Sequence, residues 1–183
     1  MSQNGDNLEL EIVLALIRED LHLRAIARAV GAPAMSVQRR LARLMDANVL
    51  DCEAEGRNKV FRLKRNLQAK NYIFNAERYK LMKLINEYPE VGMVVEGLIE
   101  KTDRPVLLFG SYARFEAKKD SDIDIYVDTD ERKVKAEMEI INSKVRVKIG
   151  AFDRDSNLIK EIVKNHVVLK GVEAYYEKTG FFA

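Results

Sequence analysis

Two aspartates one residue apart, with a glycine–serine pair ahead of them, are the residues of this chain best suited to chemistry. Gly110 to Val127 reads GSYARFEAKKDSDIDIYV. In an extended strand, successive side chains point to opposite faces. Asp122 and Asp124 therefore share one face, while Ile123, Ile125 and Val127 take the core. Two carboxylates held that close repel each other, and a divalent cation between them relieves the repulsion. Mg²⁺ or Mn²⁺ suits the pair. Such ions prefer oxygen ligands, and Mg²⁺ in particular binds through one or two carboxylates plus substrate phosphates.

Gly110 closes the apolar run Val106 to Phe109, and a glycine there lets the backbone come close to a ligand. Ser111 is expected to open a short helix whose free N–H groups favour an anion. Its hydroxyl can donate to a phosphate oxygen. Arg114, one turn later, can reach the same anion. Ser121, directly before the acidic pair, joins this set. The segment thus combines a phosphate cradle with a metal pair of Asp122 and Asp124.

The elements around it set the scaffold. Val106 to Phe109 reads as a strand, Glu131 to Ile141 as a helix, Val145 to Phe152 as a strand and Asn157 to Asn165 as a helix. A last helix lies near Val172 to Glu177. Strands alternating with helices indicate an α/β or α+β domain.

Gly110-Ser111, ten intervening residues and then Asp122-Ile123-Asp124 resemble the signature of the minimal nucleotidyltransferases, which belong to the polymerase β superfamily. EIVKNHVVLKGVEAYYE, near the end of the chain, continues the likeness. It covers roughly Val91 to Lys178. The resemblance implies a nucleotidyltransferase fold, a mixed sheet with helices. It implies that Gly110 and Ser111 hold a nucleoside triphosphate such as ATP, and Arg114 and Ser121 are the further nucleotide-binding candidates. Asp122 and Asp124 become the catalytic, Mg²⁺-binding pair. The family transfers a nucleoside monophosphate to an acceptor and releases pyrophosphate. Some members are antitoxins that adenylylate a HEPN-domain toxin.

Active members of the superfamily usually carry a third carboxylate on a neighbouring strand. The matching strand here is Val145-Arg146-Val147-Lys148-Ile149. Val145, Val147 and Ile149 take the core parity, so the open face shows Arg146 and Lys148. A cation there would pair with Asp122 or Asp124 and compete with Mg²⁺. Two-metal catalysis gains from clamping both the attacking and the leaving oxygen, and a lost ligand weakens at least one metal. Asp153 and Asp155 stand past the strand and are poor substitutes. Lys148 could instead contact the triphosphate. Both an active transferase and a domain that only binds nucleotide stay open.

The first half of the chain has a different character. Leu8, Ile12, Leu14, Ala15, Leu16 and Ile17 mark one helix. Leu23, Ile26, Ala27 and Val30 mark a second, with Gly31 as its C-terminal glycine and Pro33 preventing continuation. Val37, Leu41, Leu44 and Met45 mark the apolar face of a third. Val49 to Ala54 and Lys59 to Leu63 read as strands joined by a turn at Glu55-Gly56-Arg57-Asn58. AIARAVGAPAMSVQRRLARL resembles the helix-turn-helix core of many prokaryotic regulators, and MDANVLDCEAEGRNKVFRL resembles the wing that follows it. DNA-binding candidates are Ser36, Gln38, Arg39 and Arg43 on the third helix, with Arg57 and Lys59 in the wing. Gln38 and Arg39 suit base edges, whereas Arg57 and Lys59 suit phosphates. A protein-docking use of the module is the alternative. An apolar helix from Asn66 to Tyr88 ends before Pro89, and another spans Val91 to Lys101. The apolar face of the first serves domain packing or dimerisation.

Charge supports the division. Residues 21–70 carry 11 Lys and Arg against 4 Asp and Glu, although the 183-residue chain nets only +2. Such asymmetry suggests a basic module for a polyanion, attached to something else. At 47% hydrophobic and 33% charged residues, the composition is that of a folding chain rather than a disordered or membrane one. The N-terminus lacks a signal-peptide pattern. One cysteine, Cys52, fits the reducing cytoplasm. His22 and His166 have no cysteine cluster beside them and fall in different expected domains, which argues against zinc or a histidine triad. Tyr175 and Tyr176 read as packing residues.

The sequence thus predicts an α+β protein. A winged helix-turn-helix DNA-binding domain spans 1–65, a linker helix 66–88 and a nucleotidyltransferase-like domain 89–183. The leading expectation is an Mg²⁺-dependent nucleotidyltransferase coupled to DNA through residues 21–65, with a protein (such as a toxin) or a small molecule as acceptor. The alternative is a transcriptional regulator whose second domain only binds nucleotide or dimerises; a third possibility is an antitoxin that neutralises by binding alone. A cytoplasmic homodimer with no membrane partner is expected.

Overall fold

The computed structural model describes residues 7–56 and 58–182. It divides into two compact units. One runs to Ala76 and includes Phe182; the other spans Glu77–Phe181. The border falls inside the segment expected to be a linker helix.

In the first unit, α1 (Leu8–Arg18) buries Leu8, Ile12, Val13 and Leu16, the i, i+4, i+8 stripe of an amphipathic helix. A two-residue strand, β1 (Leu21–His22), comes next. It is too short to leave a periodic signal, and the sequence reading misses it. α2 (Leu23–Ala29) follows. Gly31 takes the left-handed φ of +64°, and the Ala32 N–H donates to Ala27 O at 3.1 Å. That closure needs a residue tolerant of positive φ and so stops the helix. α3 (Ala34–Asp46) buries Val37, Leu41 and Leu44. Met45, expected on the same apolar face, lies at the edge of the stripe and is exposed. β2 (Leu50–Glu55) and β3 (Asn58–Leu63) pair antiparallel. β1 pairs with β3, giving a three-stranded sheet of order β1-β3-β2.

α4 (Leu67–Glu87) starts where the Ala69 N–H donates to Asn66 Oδ1 at 2.8 Å, an N-cap of the usual kind. Pro89 opens α5 (Pro89–Ile99), where a missing N–H costs nothing.

The second unit continues with β4 (Val106–Phe109), α6 (Gly110–Ala113), β5 (Ile123–Val127), α7 (Arg132–Glu139), β6 (Val145–Ile149), α8 (Asn157–Lys164), β7 (Val167–Lys170) and α9 (Val172–Thr179). The sheet order is β6-β5-β4-β7. β5 and β6 run parallel, and the other neighbours antiparallel, so the sheet is mixed. Its core joins Ile123, Ile125 and Val127 of β5 with Val145 and Val147 of β6, Val95 and Leu98 of α5, and Met138 of α7. The alternation read from the sequence is the one found.

In this unit one strand assignment needs correction and one strand goes unread. β6 stops at Ile149 rather than Phe152. Beyond it, Gly150 O accepts from Tyr126 Oη at 2.8 Å and the Phe152 N–H donates to Asp128 Oδ1 at 3.2 Å, so side chains replace the ladder. β7 was not anticipated. A four-residue apolar run such as Val167 to Lys170 carries no periodicity that tells strand from helix. Among the described residues, no helix is long and apolar enough to cross a membrane.

Candidate active site

β4 and β5 bring the two halves of the motif together. Phe109 pairs with Asp124 across the antiparallel ladder, so the residue after Phe109 must pass close to that carboxylate. Gly110 does so at φ +73°, where a Cβ would meet Asp124 Oδ2 at 2.3 Å. Conformation and space both require glycine there. Ser111 follows in the single turn of α6. The chain then reverses at Phe115, which has φ +59°. The Glu116 N–H donates to Ser111 O at 3.0 Å. A bulky residue with positive φ is a genuine outlier. Phe115 packs against the core, and the Lys83 ammonium lies 5.7 Å from its ring centroid.

The acidic pair sits at the mouth of β5. Asp122 precedes the strand and is exposed, while Asp124 is half-buried. Burial raises the Asp124 carboxyl above its ordinary value. The charges of Asp122 and Glu161 push the same way, and Lys148 and Arg146 pull it partly back. β6 supplies those cations. Arg146 pairs in register with Asp124, and Lys148 with Tyr126. Both side chains are exposed, as their parity predicts. Arg146 Nη2 stands 3.3 Å from Asp122 Oδ1, so the pairing expected from the sequence is present.

The other motif residues are distributed less tightly. Ser121 Oγ accepts from the Lys118 N–H at 2.8 Å, and the Ser121 N–H donates to Lys118 O at 2.9 Å. The hydroxyl oxygen thus closes the loop, leaving its proton to donate. Arg114 Nε donates to Glu116 Oε2 at 3.1 Å, which turns its guanidinium toward an exposed neighbour.

Whether Mg²⁺ fits can be judged from the donors. Asp122 and Asp124 offer hard oxygens, and Asp124 Oδ2 packs directly against Gly110 at the start of α6. Among the described residues there is no group of three or more metal-ligating side chains. The set therefore fits one hard cation whose other ligands come from phosphate or water. It does not fit two cations held by protein carboxylates.

Residues 100–173 match the family model described as Polymerase beta, Nucleotidyltransferase. This supports the nucleotidyltransferase superfamily for the segment that holds Gly110, Asp122 and Asp124. The mixed sheet with its helices is consistent with the nucleotidyltransferase fold. No curated protein and no solved structure matches the chain.

Sequence reasoning missed two features of this segment and its surroundings. Glu161, on the exposed side of α8, acts on Asp124 through its charge; nothing in the spacing of residues 122 and 161 announces it. A buried polar cluster also lies in the second unit. Tyr176 Oη donates to Glu77 Oε1 at 2.8 Å, His166 Nε2 stands 3.6 Å from the same oxygen, and Lys80 Nζ donates to His166 O. Tyr175 Oη lies 3.3 Å from His166 Nδ1. Burial by itself would raise the Glu77 carboxyl; the attraction of His166 and Lys80 and the Tyr176 hydroxyl outweigh it and hold it below its ordinary value. Tyr175 and Tyr176 are buried in this packing.

In the first unit, Gln38 and Arg39 are exposed on α3, Ser36 is half-buried and Lys59 is exposed on β3. Arg43 stands 3.9 Å from Glu9, which also holds Arg40 at 3.1 Å. Arg57 lies outside the described residues.

Proposed function

We propose that this chain is an Mg²⁺-dependent nucleotidyltransferase whose first unit is a DNA-binding winged helix. The observation that carries the reading is the contact geometry of Gly110 and Asp124. A glycine required both by its φ and by the Asp124 oxygen packed against it brings the start of α6 directly against the carboxylate, so a phosphate held by that backbone would lie beside a cation held by Asp124. Gly110 and Ser111 hold the triphosphate, with Arg114 and Ser121 turning toward it on binding. Asp122 and Asp124 hold Mg²⁺, which supplies charge neutralisation of the phosphates. The acceptor is a hydroxyl of a protein or small molecule. Its oxygen bonds to the α-phosphorus, the bond to the β-phosphate oxygen breaks, pyrophosphate leaves and the hydroxyl proton passes to solvent. Lys148, exposed on the same sheet face, offers its charge to the transferred phosphoryl group.

In the first unit, Gln38 and Arg39 on α3 meet base edges, while Lys59 and Arg57 meet phosphates. The basic balance of residues 21–70 supports this. The second reading is a DNA-binding regulator whose second unit only senses nucleotide, and the Arg146–Asp122 ion pair favours it.

Transfer of label from α-³²P-ATP, with the other nucleotides alongside, separates the two. Label on an acceptor in lysate with Mg²⁺ or Mn²⁺, absent from an Asp122→Ala/Asp124→Ala variant, establishes the transferase. Metal-dependent binding without transfer establishes the sensor. Salt-insensitive or absent DNA binding by the full chain would remove the DNA-reading role.

A further inference from the structure

We propose that Arg146 takes the place of a second metal ion, so that the site accepts a single divalent cation, delivered with the nucleotide. The inference rests on the nucleotide-site reading above and deepens it.

Arg146 is held in position from three sides. Its Nη2 meets Asp122 Oδ1 at 3.3 Å. Its Nη1 donates to Ser143 O at 2.6 Å and to Val145 O at 3.0 Å. A planar guanidinium fixed by several acceptors loses little further freedom in making an ion pair. The parallel register of β5 and β6 places it opposite Asp124. It therefore stands at the acidic pair by virtue of the sheet, not by a chance swing of a long side chain.

Charge decides the consequence. Asp122 and Asp124 face Arg146 and Lys148, so the two acids are balanced by two cations before any ligand arrives. Glu161 adds one further negative charge that acts on Asp124. It lies on an exposed helix face and forms no ligand cluster with the pair. A free divalent cation finds little net attraction there and too few oxygens. A triphosphate changes both terms, because it brings several negative charges and hard oxygens of its own. Asp122 and Asp124 would then hold the one cation that arrives with the phosphates, while the guanidinium keeps the second cationic position without exchange. The Arg146–Asp122 pair is about half exposed on both sides and therefore weak, so Asp122 can share its oxygens with an arriving cation while Arg146 stays on Ser143 O and Val145 O.

The test is Mn²⁺ binding by the full chain, followed by electron paramagnetic resonance with and without α,β-methylene-ATP. The wild type is expected to bind Mn²⁺ feebly alone and one Mn²⁺ per chain with the analogue. Arg146→Gln should tighten Mn²⁺ binding without nucleotide by about two- to five-fold, the range of an exposed ion pair. Arg146→Lys should keep the wild-type stoichiometry, and Arg146→Asp should admit a second Mn²⁺ with the analogue. Circular dichroism confirms that each variant is folded; Arg146 is exposed, so the fold should hold. Two Mn²⁺ on the wild type with the analogue, or no change in Arg146→Gln, overturns the inference while leaving the nucleotide site standing. No metal-dependent binding of the analogue by the wild type overturns both.

Discussion

On the open face of the sheet, Asp122 meets Arg146 at 3.3 Å with both side chains about half exposed. Among α4, α9 and the residue before β7, Glu77 meets His166 at 3.6 Å with side-chain exposures of 2% and 7%. The partners are alike, a carboxylate against a nitrogen-bearing side chain, yet the surroundings give them opposite roles. Water screens the first pair, and such pairs are worth about 0–1 kcal/mol. It can open for a ligand at little cost. The second pair has no water to replace a lost partner, and breaking a buried pair costs about 3–5 kcal/mol. Glu77 Oε2 and His166 Nε2 already lack hydrogen-bond partners, so this cluster has little slack. One set of charges is adjustable and the other fixed.

The largest test of that contrast is Glu77→Ala, expected to lower stability by about 3–5 kcal/mol in urea denaturation. A loss within a few tenths of a kcal/mol would mean that the buried cluster is not what anchors α4 to α9. Acid should show the same dependence. The Glu77 carboxyl is held below its ordinary value of 4.5. Its contribution is therefore complete above about pH 4.5 and disappears as pH falls through the lower folded value. Urea midpoints measured below pH 4.5 should fall in the wild type and fall less in Glu77→Gln; parallel curves would assign the acid limb to other groups.

Smaller in stability, but decisive at the site, is Gly110→Ala. Its Cβ meets Asp124 Oδ2 at 2.3 Å, and φ is +73°. A loss above about 1 kcal/mol is expected, together with loss of metal-dependent nucleotide binding measured by calorimetry. Unchanged binding would show that nothing approaches Gly110. The smallest stability effect belongs to Asp122→Asn, at most about 1 kcal/mol, paired with weakened Mn²⁺-nucleotide binding. A large drop in melting temperature would erase the distinction between the adjustable and the fixed charges.

Much of the site's arrangement was legible because it is local. The two-residue alternation of β5 and β6 foretold which side chains enter the core and which face Asp122. It also foretold that Arg146 would stand where an acid could. Gly31 foretold the end of α2. Short elements with no motif beside them were not legible, whereas β4 and α6, equally short, were placed by the glycine–serine pair between them. β1 has two residues and β7 four, and neither leaves a period to count. The end of β6 was misplaced because side chains of Tyr126 and Asp128, from another strand and loop, take over its backbone groups.

The sequence by itself determined the spacing of Gly110, Asp122 and Asp124, the cationic face of β6 and the basic balance of the first half. Those properties are fixed by residue type and by the period of the chain. Tertiary structure alone decided that Gly110 lies against Asp124, that Arg146 reaches Asp122, and that Glu161 acts on the site from α8. It alone buried Glu77 with His166, residues far apart in the chain. Register and burial are set by which strands and helices pack together, and a charge's worth depends on how much water that packing leaves around it.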